Sequence, residues 1–429
     1  MSRPDDVVRI KYNKKGKRYL QDQFVIQAKS ADPFAKPKWD QELLVSLSKA
    51  KKREVVMKTQ QSRLGLIALI MIFSSVVLFK PIASACTGIT LRAKDGAVVY
   101  GRTLEWGTFD LHSRILIIPR GHRFVGETTE GKHGMKWTGK YGIAGIDMLE
   151  KPIYADAINE KGLVAGLFYH PDFAEYAEYK SADANRSMGP TDVMQFILSN
   201  FADVAEVRQG IGKITVVKVI DKVLGFPAPI HLIVSDPTGE QIVIEWSKGR
   251  PVIFDAPLGV ITNAPTYDWH MTNIRNYINL SPVALPTISI DKIDFKPLGA
   301  GSGMIGLPGD FTPPSRFVRA VAFSKTARPT DDGPETIYEI FRILDSFNLP
   351  LGSGEGSGDK HSLEGMRSST IWTSAHDLKN KVFYYHTQHN RQVRKVDVGS
   401  LNFGSIKEVK TFPLDEQKEQ AIKDRTPHQ

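Results

Sequence analysis

The chain contains one cysteine, Cys86, and therefore no intrachain disulfide, so the chemistry of this thiol depends on its position. A thiol with a pKa of about 8.5 is mostly protonated at neutral pH, and only the thiolate is strongly nucleophilic. If cleavage after Ala85 made Cys86 the first residue, its α-amine, with a pKa of about 8, could accept the thiol proton. Nucleophile and base would then lie on one residue, and no separate histidine would be needed.

The segment before Cys86 has the composition of a secretory signal peptide over residues 57–85. A basic stretch, 57–63, precedes sixteen uncharged residues, 64–79, and the segment ends in Ala83-Ser-Ala85. The uncharged run is shorter than the ~20 residues that a membrane-spanning helix needs. The pattern therefore predicts export to the periplasm or the extracellular space. The alternative is an uncleaved signal anchor, which would be the protein's only contact with a membrane.

Residues 1–56 are polar and lysine-rich, although a signal peptide normally begins a chain. We interpret Met57 as the start of translation and 1–56 as an extension that is not part of the native protein; the alternative is a cytoplasmic tail. A lipoprotein signal also ends before a cysteine, and it would make the chain an envelope lipoprotein that binds a ligand or partner. Such signals usually carry Leu where this chain has Ala83, and lipidation would block the α-amine of Cys86.

The formal net charge of +9 would suggest a nucleic-acid partner, but the basic residues are concentrated in the leader. Residues 1–85 contain 17 Lys+Arg and 7 Asp+Glu, which leaves 39 Lys+Arg and 40 Asp+Glu beyond them. The remainder of the protein is therefore nearly neutral. We predict no nucleic-acid partner.

Several segments beyond the leader resemble the choloylglycine hydrolase family, which contains bile salt hydrolases and penicillin V acylases. The resemblance begins with Cys86-Thr-Gly-Ile-Thr-Leu and continues through Gly101-Arg-Thr-Leu-Glu-Trp106. The later matching segments, in chain order, are Asn159-Glu-Lys-Gly-Leu163, Thr262-Asn-Ala-Pro265, Leu307-Pro-Gly-Asp310 with Ser315-Arg-Phe317, and Thr370-Ile-Trp-Thr373. Each segment is weakly specific alone, but their common order over residues 86 to about 400 is specific.

The resemblance implies N-terminal-nucleophile amide hydrolysis through a thioester acyl-enzyme. Cys86 would be the nucleophile, and Arg102 would stabilise its thiolate. Glu105, where many family members have Asp, would hydrogen-bond the α-amine. The oxyanion would be held by the side-chain amide of Asn263 and by a backbone N–H that we assign to Phe168, and Arg316 would complete the charge network.

The same resemblance implies a small-molecule amide substrate and a site without cofactor or metal. Conjugated bile salts, penicillin V-type side chains and N-acyl homoserine lactones all join an apolar body to a small polar amine. The predicted apolar walls of the substrate site are Trp106, Phe109 and Tyr169. Family members are often tetramers, so a homo-oligomer is possible here.

Hydrophobic patterning predicts an α+β domain over residues 86–429, with strands towards both ends and helices between them. Residues 231–235 and 241–246 read as a hairpin, and helices are expected over 191–207 and 335–347. The resemblance specifies a four-layer αββα sandwich, the N-terminal-nucleophile hydrolase fold. A Gly-x-Gly-x-x-Gly match at 301–306 follows no strand and therefore does not predict dinucleotide binding.

Overall fold

Two antiparallel β-sheets form the centre of the fold in the computed structural model. The structure describes residues 86–107, 110–129, 133–351 and 369–427. The predicted extension (1–56), the predicted signal peptide (57–85) and Phe109 lie outside these residues. No helix within the described residues has the length and apolar composition needed to cross a membrane.

The described residues form twenty strands, numbered here in chain order. They are β1 Thr87–Arg92, β2 Val98–Trp106, β3 Arg114–Ile118, β4 Arg123–Glu127, β5 His133–Thr138, β6 Ile143–Met148, β7 Lys151–Asn159, β8 Val164–Tyr169, β9 Ser187–Met188, β10 Thr215–Val216, β11 Ile230–Ser235, β12 Gln241–Ser247, β13 Arg250–Asp255, β14 Val260–Ile261, β15 Ile288–Ile290, β16 Ile293–Phe295, β17 Ser369–Asp377, β18 Val382–Thr387, β19 Arg394–Asp397 and β20 Lys410–Pro413.

The first sheet has six strands in the order β14-β1-β2-β17-β18-β19, and the second has eight in the order β13-β12-β11-β8-β7-β6-β3-β20. The predicted hairpin is β11–β12, whose register pairs Leu232 with Ile244. Two-stranded ladders β4–β5, β9–β10 and β15–β16 lie outside these sheets. β1 and β2 are adjacent and antiparallel, with Gly88 opposite Arg102, so the first sheet brings the Cys86 end of β1 beside the second half of β2.

Helices cover the outer faces of both sheets. They are α1 Val193–Asn200, α2 Val204–Gly210, α3 Tyr267–Asn273, α4 Pro313–Thr326 and α5 Gly333–Leu344. α4 and α5 pack on β1, β2 and β17 of the first sheet, whereas α1 packs on β7 and β8 of the second. The resulting order of layers is helix, sheet, sheet, helix, and the predicted αββα sandwich is confirmed.

The central position of β2 explains why all nine of its residues are buried. One face of the strand meets the second sheet, and the other meets α5: a Cβ on Gly101 would lie 3.1 Å from side-chain carbons of Ile340 and Leu344. Since successive side chains alternate between faces, Arg102 and Glu105 point to opposite sides of the sheet. Both side chains are buried.

The segment predicted as one helix over 191–207 is divided in two by Phe201–Asp203. Asp203 is extended, and its side chain accepts a hydrogen bond from the backbone N–H of Glu206, so it caps α2 as a separate helix. The second predicted helix is confirmed as α5, which Asp332 caps in the same way through the N–H of Glu335. The residues after Leu344 continue as a short 3₁₀ helix, Asp345–Phe347.

The β15–β16 hairpin presents apolar side chains to solvent, namely Ile288, Ile290, Ile293 and Phe295, each more than half exposed. The two strands pair with each other and with no other strand of the described residues. A homo-oligomer stays a prediction.

We expect Gly88→Ala to destabilise the protein by about 1–3 kcal/mol, because the added methyl group overpacks the space between the two sheets. A Cβ at this position would lie 2.8 Å from Cγ2 of Ile261 and 2.9 Å from Cζ of Phe168. Gly212→Ala is the matched control, since a Cβ there meets no atom within 4 Å. Urea unfolding of the two variants measures the difference, and equal midpoints would contradict the packing argument.

Candidate active site

Cys86 lies immediately before β1, and its side chain is 3% exposed. It lines a cleft with about 630 Å³ of space free of protein atoms. Arg102 and Glu105 line the same cleft, together with apolar residues of both sheets. The register of β1 and β2 thus brings three of the predicted site residues together.

Arg102 lies between the two sheets, where the pairing of β7 with β8 ends. The last pair of that ladder is Asp156 with Gly166. Beyond it, Nη1 of Arg102 donates to the carbonyl oxygens of Ala155 at 3.0 Å and Leu167 at 2.5 Å. Nη2 is buried and has no hydrogen-bond partner among the described residues. Arg102 therefore keeps one unused hydrogen-bond donor group, and this residue lines the cleft that contains Cys86.

Burial alone would lower the pKa of the Arg102 guanidinium, but the charges of Cys86, Tyr100, Asp156 and Glu105 outweigh it and raise the pKa. The ring of Phe168 also lies 4.1 Å from the guanidinium carbon, a cation–π contact. Arg102 is consequently positively charged at neutral pH, and its guanidinium group is buried away from water. A cation so placed favours the thiolate form of a neighbouring cysteine.

Glu105 is buried, and burial raises the pKa of its carboxyl group to about 7. A hydrogen bond from Oγ1 of Thr370 to Oε1, 2.6 Å long, and the charge of Arg316 act in the opposite direction. The carboxyl group therefore changes charge near neutral pH. Sequence reasoning did not identify Thr370 as its partner; the cross-strand pairing of Thr370 with Glu105 is a property of the β2–β17 register.

Arg316, on the buried face of α4, joins three separate parts of the site. Nη1 donates to the backbone carbonyl of Cys86 and, at 2.8 Å, to Oγ1 of Thr87. Nη2 donates to Oδ1 of Asn263 at 2.7 Å, and Nε donates to the carbonyl of Phe311 at 2.8 Å. Burial lowers the pKa of Arg316 to about 10, so the group stays charged at neutral pH. Its contacts fix Asn263 relative to Cys86.

Asn263 follows β14, and its Nδ2 donates to the carbonyl of Tyr169 at 2.8 Å. The amide therefore faces the end of β8, with Oδ1 held by Arg316 and one hydrogen of Nδ2 remaining. The oxyanion role of Asn263 stays a prediction.

The backbone N–H of Phe168 is directed away from the side-chain amide of Asn263. In an antiparallel ladder, a residue directs both its N–H and its C=O to the same neighbour, and successive residues alternate. The N–H of His170 donates to the carbonyl of Pro229, so residues 168 and 170 face β11. Tyr169, whose carbonyl meets Asn263, faces the other way. The N–H of Phe168, the predicted oxyanion donor, is therefore directed to β11, and the N–H of Tyr169 is directed to the side on which Asn263 lies. The identity of the donor stays a prediction.

Two of the three predicted wall residues, Trp106 and Tyr169, line the cleft. Their rings meet edge to face with centroids 6.0 Å apart. The third, Phe109, lies outside the described residues. The side chain of Phe168, the residue next to Tyr169, is fully buried against the guanidinium group of Arg102. The other apolar walls come from both sheets and a loop, and they are Leu104, Leu111, Met148, Leu149, Ile153, Leu167, Leu224, Ala228 and Ile230.

Within the described part of the chain, one group of buried side chains has the composition of a metal site, namely His170, His231 and Glu245. The two imidazole rings are stacked with centroids 4.1 Å apart and planes 4° from parallel. A metal ion must lie near the plane of each ligating ring, about 2.1 Å from its nitrogen. Parallel stacked planes do not meet at such a point, so this cluster does not fit a metal.

Sequence comparison relates this chain to known amide hydrolases. Residues 86–412 match the sequence profile of the linear amide C–N hydrolases, choloylglycine hydrolase family. The chain is 32% identical to a bile salt hydrolase/transferase from Clostridium perfringens over 336 residues, 76% of this chain and 96% of that protein. It is 26% identical to a penicillin V acylase from Pectobacterium atrosepticum over 326 residues, 71% of this chain and 78% of that protein.

The fold has a counterpart among solved structures. The crystal structure of a mutant conjugated bile acid hydrolase from Clostridium perfringens superimposes with a TM-score of 0.67 and 29% sequence identity. The superposition covers 79% of this chain and 99% of that structure. Nearly the whole of the related enzyme therefore has a counterpart in this chain.

We expect Glu105→Gln to reduce the loss of stability that accompanies rising pH. Burial raises the folded-state pKa of Glu105 from 4.5 to about 7, so its stabilising contribution is complete below pH 4.5 and is lost as the pH rises through 7. This shift corresponds to about 3 kcal/mol. Urea unfolding at pH 4.5 and pH 8, on proteins with the same N-terminus, measures the effect. Glu419→Gln, at an exposed position, is the control; parallel pH profiles for wild type and E105Q would contradict the assignment.

Proposed function

Because the chain belongs to the choloylglycine hydrolase family of linear amide C–N hydrolases, we propose that its mature form begins at Cys86 and uses this residue as the nucleophile. The observation that carries the proposal is the position of Cys86, in one cleft with the unused Nη2 of Arg102 and joined through Arg316 to Asn263. The match to the family profile also begins at Cys86.

In the first step, the α-amine released by cleavage accepts the proton of the Cys86 thiol. The buried cation of Arg102 stabilises the thiolate, and Glu105, which lines the same cleft, orients the resulting ammonium group. With a pKa near 7, the Glu105 carboxylate is anionic in the pH range in which the amine would work. The positive charge of a free N-terminus would favour this anionic form further.

The thiolate then attacks the amide carbon, and the carbonyl oxygen becomes an oxyanion. Nδ2 of Asn263 and the N–H of Tyr169, which are adjacent through the Asn263–Tyr169 hydrogen bond, donate to this oxygen. The ammonium group of Cys86 gives its proton to the departing nitrogen, and the amine leaves. A water molecule, deprotonated by the same α-amine, hydrolyses the thioester and regenerates the thiol.

The cleft fits a substrate with an apolar acyl or steroid body. Its walls are mostly aliphatic and aromatic, as is usual for small-molecule sites. Asp221 at the cleft is neutralised by Lys151 at 2.9 Å. Conjugated bile salts, the side chain of penicillin V and N-acyl homoserine lactones share this apolar character, and the names of the relatives cover the first two classes.

The alternative, a lipoprotein anchored through Cys86, fits the structure less well. A lipid-bearing cysteine must reach a membrane surface, whereas the Cys86 side chain is 3% exposed at one end of a cleft. A lipid anchor also gives no physical reason to bury two charged side chains, Arg102 and Arg316, beside Cys86. We therefore propose export with cleavage after Ala85, to the periplasm or the extracellular space.

The proposal predicts that protein recovered from an export-competent host starts at Cys86 with an unmodified amine. N-terminal sequencing and intact mass test this directly, because retained leader residues, lipid or acetyl groups each change the mass. A chain that keeps residues before Cys86 has no α-amine on that residue. Such a chain, or a lipidated one, would contradict the mechanism.

The mature protein should hydrolyse at least one of three amides: glycocholate, penicillin V or an N-acyl homoserine lactone. Cys86→Ala should lower kcat by at least about 10³-fold, since it removes the nucleophile. Iodoacetamide provides an independent arm, because the single thiol of the chain should give one adduct and parallel loss of activity. Undiminished turnover by C86A or by the fully alkylated enzyme would exclude Cys86 as the nucleophile.

A further inference from the structure

Three buried histidines hold the backbone on both sides of Asn263. Nε2 of His231 lies 3.0 Å from the carbonyl oxygen of Thr262, and Nε2 of His270 lies 3.0 Å from that of Asn263. Nε2 of His170 lies 3.3 Å from the carbonyl oxygen of Pro265. A carbonyl oxygen can only accept, so each ring must carry a hydrogen on Nε2.

The three imidazoles are neutral. Burial lowers the pKa of His170 and His231 to about 3 and that of His270 to about 4. A neutral imidazole has one N–H, so each ring can hold its carbonyl in only one of its two tautomers. In the other tautomer, a lone pair on Nε2 would face the carbonyl oxygen, and the repulsion between them would displace the backbone of residues 262–265.

Only His231 has a partner that selects its tautomer. Its Nδ1 lies 3.2 Å from Oε1 of Glu245, whereas Nδ1 of His170 and Nδ1 of His270 have no partner within the described residues. One proton must lie between Nδ1 and Oε1, because a lone pair facing a carboxylate would be repulsive. Burial raises the pKa of Glu245 to about 7, so below that pH the carboxyl group carries this proton. Nε2–H of His231 then faces Thr262.

The carboxyl group of Glu245 makes a second contact through the same oxygen atom, Oε1. The N–H of Tyr267, the first residue of α3, donates to Oε1 at 2.8 Å. The carboxyl group thereby connects β12, β11 and the segment between β14 and α3. Asn263 lies within that segment, two residues after β14 ends.

We propose that the Glu245–His231 pair positions Asn263 for amide hydrolysis, by holding Thr262 through one selected tautomer of His231. The inference rests on the proposed function, in which Nδ2 of Asn263 donates to the oxyanion. Such a donor acts only when it lies about 3 Å from the position that the oxyanion will occupy. Glu245 and His231 are therefore positioning residues, which act on the reaction through Asn263 and do not touch the substrate.

Two substitutions of Glu245 separate this role from simple packing. In Glu245→Gln, the side-chain NH₂ group can donate to Nδ1 of His231 and preserve the tautomer, but at the position of Oε1 it cannot accept from the N–H of Tyr267. In Glu245→Leu, the volume is similar but Nδ1 has no donor, and the tautomer is no longer selected. Both substitutions therefore remove the Tyr267 hydrogen bond, and the difference between them isolates the contact with Nδ1. At pH 6, we expect E245L to lose kcat by about tenfold, less than the 10²–10³-fold cost of deleting an oxyanion donor. KM should change less than twofold, and E245Q should recover most of the lost kcat.

The tautomer of His231 gives a readout that does not depend on turnover. In ¹⁵N-labelled protein, the nitrogen shifts of His231, assigned with His231→Gln, should report hydrogen on Nε2 in wild type and E245Q, and a mixture in E245L. Tyr154→Phe is the matched control: it removes a buried hydrogen bond in the same sheet, to the carbonyls of Leu116 and Ile143, and should change neither kcat nor the His231 signals.

Equal kcat values for E245Q and E245L, or a wild-type His231 with its hydrogen on Nδ1, would overturn the inference. A loss of kcat in Y154F as large as that in E245L would also overturn it, because the effect would then belong to any buried hydrogen bond. If the wild type hydrolyses none of the amides, the proposed function fails. The nitrogen shifts still decide the tautomer in that case, so the two failures are distinguishable.

Discussion

The buried guanidinium of Arg316 is the interaction on which the arrangement of the site depends. A charge removed from water is costly unless hydrogen bonds and opposite charges replace its hydration. Arg316 meets this requirement with the carbonyls of Cys86 and Phe311, with Thr87 and with Oδ1 of Asn263. Satisfying one cation therefore forces a helix, the start of β1 and the segment after β14 into one fixed geometry.

The second sheet supplies the opposite side of the site by a similar principle. Arg102 satisfies its charge with the carbonyls of Ala155 and Leu167, just where the β7–β8 ladder ends. The guanidinium thus replaces hydrogen bonds that the two strands would otherwise make with each other. The free end of β8 is what allows Tyr169 to face Asn263. Continued pairing of β7 with β8 would have occupied these backbone groups.

Burial and the neighbouring charges act in opposite directions on the ionisable groups of the site. Burial raises the pKa of the Glu105 carboxyl group to about 7, against the charges of Arg316 and Arg102. The two buried arginines have two buried carboxyl groups near them, Glu105 and Asp156. The three histidines that hold the Asn263 segment add no cation, because burial keeps them neutral. The segment is therefore held without further change to the electrostatic environment of the thiol.

The order of residues along the chain was enough to predict the family and the fold of this protein. One cysteine after a signal-like segment, together with the motifs around Arg102, Asn263 and Arg316, predicted a family and a fold that the comparisons and the structure confirm. Local patterning also located the β11–β12 hairpin. Export, cleavage at Cys86 and oligomerisation stay predictions, because they concern events or segments outside the described residues.

The tertiary structure decided what depends on register and on contacts between distant segments. The N–H that faces the side of Asn263 is that of Tyr169 and not that of Phe168, because successive residues of a strand direct their backbone groups to opposite neighbours. The break between α1 and α2 depends on a local cap at Asp203 that competes with helical periodicity. Thr370 lies 265 residues from Glu105 along the chain, and His170 lies 95 residues from Pro265. No spacing in the sequence reveals such partners, since only strand register and tertiary packing bring them together.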